Sequence, residues 1–255
     1  MNWKQISLYF VAFSLPLYFH APVASAQTPY QSEQTKETWQ ISQTFKPPKR
    51  GAPPASAGGS TRGITCLTNN QKLISLTPPD KLGLTLATHP TFFWFIPKTP
   101  VKTARFLLLT DNSQKVVYET TLKLPNQPGI ISLTLPESVD ALEVGKTYNW
   151  SLNIVCNAND FSGNPGVNGF VERIQPELPL SAALKTANLR TLPTIYAEAG
   201  IWHEALTSLV ELRRAEPNSF NVRLNWRKFF NSVGLNAIAS EPFLDCCVAE
   251  DTLAK

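Results

Sequence analysis

A change in the spacing of apolar residues constrains this chain more than any other feature. Tyr148, Trp150, Leu152, Ile154 and Cys156 recur at every second position, with Thr147, Asn149, Ser151 and Asn153 between them. A period of two belongs to an extended strand with one dry face and one wet face. Val116, Tyr118, Thr120, Leu122 and Leu124 alternate in the same way against Lys115, Glu119 and Lys123. Shorter runs at 91–96, 104–110, 130–135 and 167–174 are divided by Pro, Asn, Asp and Gly clusters. Closely spaced strands of this kind predict an antiparallel β-sandwich over residues 64–178. Beyond Pro179 the spacing becomes helical, so the fold class is α+β, with a small helical unit over 179–240.

Two local patterns sharpen the sandwich. Pro90-Thr91-Phe92-Phe93-Trp94 is a proline-led strand whose tryptophan suits the space between two sheets. Leu142 to Tyr148 resembles a corner in which a tyrosine hydroxyl bonds back to upstream backbone. Together they resemble an immunoglobulin or fibronectin type III domain. Trp94 and Trp150 are expected in its core rather than on a surface where sugars stack.

In the helical part, Trp202, Ala205, Leu206, Leu209 and Leu212 share one face, while His203, Glu204, Thr207, Glu211 and Arg214 share the other. The helix must end before Pro217. Asn218 is placed to cap a following helix carrying Phe220, Leu224 and Trp226 as its apolar stripe, and Gly234 suits the C-terminal cap. Tyr196, Gly200, Ala205 and Pro217 match the spacing of one tetratricopeptide repeat, although Pro193 requires the first helix to start there or bend. A lone repeat cannot bury its own apolar face, so it must lean on the sandwich.

Residues 1–26 read as a cleaved export leader: Lys4, an apolar run over 6–18, then Ala24-Ser25-Ala26 as a small-residue cleavage site. Once it is removed, no transmembrane segment is expected, and 22 Lys+Arg face 19 Asp+Glu, a net charge of about +3. So small an imbalance excludes a nucleic-acid partner, which needs a clustered basic face. Residues 27–63 have the composition of a disordered linker, with Trp39, Ile41 and Phe45 as its few large apolar residues. Gly58-Gly59-Ser60-Thr61-Arg62-Gly63 resembles a phosphate loop. However, such a loop needs a strand before it and a helix after it, and here a linker precedes and a β-branched strand follows. It reads as a hinge. Among the four cysteines, Cys66 and Cys156 bracket the strand region and are expected to bond, closing a loop of about 90 residues worth about 4–5 kcal/mol on the chain-entropy argument. Cys246 and Cys247 fall in a polar tail, 241–255, expected to be flexible.

No catalytic constellation emerges. There is no Gly-x-Ser-x-Gly elbow, and the expected bridge uses the cysteines that a histidine might activate. His203-Glu204 opens like a zinc-protease helix, but Thr207 stands where the second histidine belongs, and His203 is expected to be exposed. His89, before Pro90, reads as a turn residue. Asp111, Glu119, Asp140, Asp160 and Glu172 are scattered without a pairing, and the 157–168 loop lacks alternating acidic ligands for calcium. No metal or cofactor is expected.

The succession GGSTRG, PTFFWFIP, VVYETTL, GIISLTLP, GKTYNW, VNGFVERI, YAEAGIWHEALTSLVELR and NSVGL, spread over about residues 50–240, resembles the cyanobacterial domain-of-unknown-function family numbered 928. That resemblance implies an exported cyanobacterial protein and supplies no active-site residues. The expected role is a non-catalytic binding or scaffold module of the cell envelope, periplasmic or extracellular. His203, Glu204, Glu211 and Arg214 are the candidate surface for a protein partner. The alternatives are carbohydrate recognition or processing through Trp39 or a sandwich tryptophan, and an assembly role in which Cys246 and Cys247 cross-link chains.

Overall fold

The computed structural model describes residues 45–48, 66–67, 71–78, 80, 82–110, 115–159, 163–244 and 249–250. The leader, most of the 27–63 linker, Cys246 and Cys247 lie outside them. The strands are β1 (Ile74–Ser75), β2 (Leu82–Thr85), β3 (Thr91–Ile96), β4 (Thr103–Thr110), β5 (Val116–Lys123), β6 (Gly129–Thr134), β7 (Thr147–Ile154) and β8 (Gly166–Arg173). Helices α1 (Leu178–Thr186), α2 (Leu192–Glu198), α3 (Trp202–Ala215) and α4 (Phe220–Ser232) follow, then a 3-10 turn at Asn236–Ile238 and β9 (Ala249–Glu250). Among the described residues no helix is long and apolar enough to cross a membrane.

The strands form two sheets, one ordered β1-β3-β6 and the other β2-β8-β7-β4-β5-β9. β7 alternates as its sequence requires, with Tyr148, Trp150, Leu152 and Ile154 buried and the residues between them half-exposed. It pairs antiparallel with β4, setting Trp150 opposite Leu108. The sheets share a core in which Trp94 of β3 meets Trp150 of β7 edge-to-face at 5.9 Å, with Phe92 and Phe106 beside them. The Tyr148 corner forms: its hydroxyl accepts from the Glu143 N–H at 3.0 Å, across a turn in which Gly145 has φ 76°. Cys66 and Cys156 are bonded, their Cα atoms 5.7 Å apart.

The six-stranded sheet is mixed, which corrects the wholly antiparallel expectation. β1 pairs with β3, and the chain then crosses so that β2 runs parallel to β8, Leu82 opposite Phe170. The first extended stretch is thus divided between the two sheets.

The helices lean on the sheets, as a lone helical unit must, and form a third layer. Phe92, Trp94 and Ile96 of β3 point into the core between the sheets, while Phe93 and Phe95 point the other way, against α3 and α4. Leu76, Phe93 and Ile130 on the outer side of the small sheet pack with Trp202, Leu206, Leu209, Trp226 and Phe229. A strand dry on both faces reads as an unbroken apolar run, and this is why Phe92 to Ile96 does not alternate. Pro193 sits in the first turn of α2, where a missing N–H removes no bond. Gly200 then ends α2 at φ 75°, with Ile201 N–H bonded to Tyr196 O and Gly200 N–H to Ala197 O.

Gly200 is also approached by residues 45–48. A Cβ there would lie 2.8 Å from the Lys46 carbonyl, whose own N–H bonds to Ala197 O. Phe45 is buried edge-on to Trp202 at 4.8 Å, so this part of the expected linker is ordered by the helical core. The tail is likewise engaged: Leu244 N–H bonds to Ile130 O, and β9 pairs with β5. The cap of α4 is Ser219, one residue beyond the expected Asn218, its hydroxyl accepting from Val222 N–H at 3.4 Å. Gly234 closes α4 at φ 76° as expected. The inward stripe of α4 is Val222, Asn225, Trp226, Phe229 and Phe230, whereas Phe220 and Leu224 face solvent.

Candidate functional site

The polar stripe of α3 is not an open surface. His203 is only 4% exposed, which corrects its placement on an exposed face. Its Nδ1 lies 2.9 Å from the Thr91 carbonyl, and since a carbonyl can only accept, Nδ1 carries the proton. Its ring meets Phe92 edge-on at 5.1 Å. The Nε2 edge lies over Gly83, where even a methyl group would come within 2.5 Å. Burial holds the imidazole below its ordinary pKa, although the Thr91 carbonyl and Glu204 act in the opposite sense. It is therefore the neutral form that fits.

Glu204 is a latch between layers. Its Oε1 accepts from Thr85 Oγ1 at 2.6 Å, Leu86 N–H at 3.0 Å and Ala87 N–H at 2.9 Å. Thr85 ends β2 opposite Arg173, and Leu86 and Ala87 follow it, so one carboxylate satisfies the N–H groups where the chain leaves the sheet. Both residues face β2 and the start of β3, so the sheets cover the side of α3 that amphipathic spacing assigns to solvent. Glu211 and Arg214 remain exposed. His203, Glu204 and Glu211 do border one recess of about 270 Å³ with His89 and Tyr196, but Arg214 does not reach it. Burial, reinforced by Glu204 and Glu211, raises the Tyr196 pKa, so its hydroxyl stays protonated.

A larger cleft of about 620 Å³ opens where the sandwich meets the first helices. Its sandwich wall is Val144, Gly145, Glu172 and Ile174; its helical wall includes Leu180 and Ala183 of α1 and Ile195 and Ala199 of α2. The local sequence explains the opening. Pro176 carries the chain away from β8 before α1 begins, Pro179 sits in the first turn of α1, and α1 buries no residue fully, so its apolar side is left facing the cleft. Three carboxylates, Glu172, Glu177 and Glu198, line it and no Lys, Arg or His does. Pro176, Pro179 and the Leu180, Ala183 spacing were the only sequence signals of this site.

The other expected residues are used structurally or lie elsewhere. Glu119 pairs with Arg105 at 2.6 Å, and Asp140 is exposed. Asp111 and Asp160 lie outside the described residues. Buried Asn164 organises the loop after β7, its Oδ1 accepting from Cys156 N–H and Asn157 N–H. Among the described residues no three His, Cys, Asp or Glu side chains are grouped to hold a metal. Trp94, Trp150, Trp202 and Trp226 are all at most 1% exposed, so none of the four offers a platform to a sugar; Trp39 lies outside the described residues.

Fold and cleft together define an α+β protein of mixed and antiparallel sheets with four C-terminal helices, opened by an acidic, apolar-walled groove. The chain belongs to the family described as Domain of Unknown Function (DUF928), which matches residues 57–243. No curated protein matches it. Among solved structures, the fn3 domain of the human collagen alpha-1(XX) chain is similar at 16% identity, covering 49% of this chain and 94% of that one at a TM-score of 0.25. At that score the likeness adds nothing to the topology above.

Proposed function

We propose that the protein is a non-catalytic binding module for a protein partner, and that the cleft beside α1 and α2 receives it. The observation that carries this reading is the lining: apolar walls with three carboxylates and no basic group. Such a site favours a segment bearing a lysine or arginine next to an apolar side chain, because the charge meets a carboxylate while the stem lies on Val144, Ile174 or Leu180. The burial of the four described tryptophans counts against carbohydrate recognition. A tetratricopeptide-like relation of α2 and α3 and a fibronectin-like relation of the sandwich belong to the same proposal, as does export to a cyanobacterial cell envelope by residues 1–26. Support for export is the leader pattern alone, and an exported chain beginning at Gln27 would be its mass-spectrometric signature.

Fluorescence anisotropy with short peptides tests the cleft. Peptides pairing Arg with Leu or Phe should bind more tightly than their Glu counterparts. Glu177→Lys with Glu198→Lys should weaken binding by about tenfold or more, the scale expected for like-charge contacts. Equal affinity for both peptide classes, or none for either, would overturn the reading.

A further inference from the structure

The outer face of α4 combines positive charge with exposed apolar groups. Its thirteen residues include Arg223, Arg227 and Lys228 and no acid. Phe220, Arg223, Leu224 and Arg227 follow one another at helical spacing along the side turned away from the core. Phe220 is 69% exposed and Leu224 36%, so two large apolar groups stand in water between guanidinium groups.

Arg213 of α3 adds a fourth cation. Its guanidinium lies over Trp226 at 4.9 Å and Phe243 at 5.5 Å, and its Nη1 is buried without a hydrogen-bond partner. Burial first, and then the charges of Arg223 and Arg227, lower its pKa, which places those three guanidinium groups within electrostatic reach of one another. Glu216, the residue that follows α3, is held by Arg190 at 2.7 Å. Arg227 and Lys228 have neither an ion pair nor a side-chain hydrogen bond among the described residues. Like charges gathered around a part-buried guanidinium repel one another, and an anion docked there would relieve them.

We propose that this face of α4 docks on an anionic phospholipid surface. Arg223, Arg227 and Lys228 would meet headgroup phosphates, while Phe220 and Leu224 enter the boundary below them. A helix with basic residues flanking exposed aromatic and aliphatic groups is suited to lie in such an interface. A soluble polyanion satisfies the arginines equally well but leaves Phe220 and Leu224 in water, so the apolar pair decides for lipid. The site lies on a different helix from the cleft and stands independently of the binding role proposed above.

Vesicle flotation of the full chain tests this. Phosphatidylglycerol–phosphatidylcholine vesicles are compared with phosphatidylcholine alone, and the ratio of the two is read against the natural chain, because the leader with Lys4 and the apolar run at 6–18 is the same in every variant. The ratio should be large for the natural chain and fall at least about tenfold in Arg223→Glu with Arg227→Glu. Phe220→Ser with Leu224→Ser, at exposed positions where folding is not at stake, should make the remaining binding several-fold more sensitive to salt. An unchanged ratio in the arginine variant overturns the proposal. So does unchanged salt sensitivity in the apolar variant, which would assign the cations to a soluble polyanion.

Discussion

Helices α3 and α1 touch the same sandwich and are held in opposite ways. α3 is bound through specific polar groups at dry positions: Trp202 Nε1 donates to Leu76 O at 2.9 Å, His203 to Thr91 O, and Glu204 gathers three donors from the end of β2. α1 buries none of its residues fully and leaves Leu178 86% exposed. The contrast shows how one chain keeps a rigid joint beside an adaptable wall. Local opening costs least where few apolar groups are buried, so the wall of the cleft formed by α1 is the part able to adjust to an occupant, while the α3 joint fixes the frame.

The largest effect should come from Trp202→Ala, which empties a fully buried site and removes the Leu76 bond; a loss of about 3–5 kcal/mol is expected in chemical denaturation. Glu204→Ala should cost less, about 2 kcal/mol, by stranding the Leu86 N–H and leaving the Ala87 N–H only its bond to Thr85 Oγ1. A cost near zero would show that the latch is not what joins the layers. His203 gives a pH signature. Its folded pKa lies below the ordinary value of about 6.5, so the unfolded chain binds a proton more readily. Stability from this group is fully present above about pH 6.5 and declines as pH falls from there toward the folded pKa. His203→Asn, whose amide can keep the bond to Thr91, should flatten that part of the thermal-melting profile between pH 7.5 and 5. At α1, Leu178→Ser should change stability by no more than about 0.5 kcal/mol. A large loss there would erase the contrast between the two helices.

What was legible in the sequence follows from how many faces each element buries. β7 has one wet side, so its alternation, its tyrosine corner and the inward Cys156 could all be read from spacing. β3 has no wet side, and its run of aromatics gives a strand without saying what covers its second face. α3 poses the same difficulty in helical form. Its histidine and glutamate look like a solvent stripe, but a helix between two layers has no such stripe at those positions. Phe45 was unreadable for another reason, since its partner Trp202 lies far along the chain and its neighbours are linker-like. The cleft was least legible, being made by what α1 does not cover.

Because the β1-β3-β6 sheet is dry on both sides, the molecule resists dissection. A fragment ending at residue 178 would lay bare Leu76, Phe93 and Ile130 as one greasy panel beside the exposed backbone edge of β1. Such a fragment should precipitate or associate more readily than the whole chain, and the helices should fare no better without their backing. The sheet in the middle makes a single inheritable unit of what its sequence presents as two.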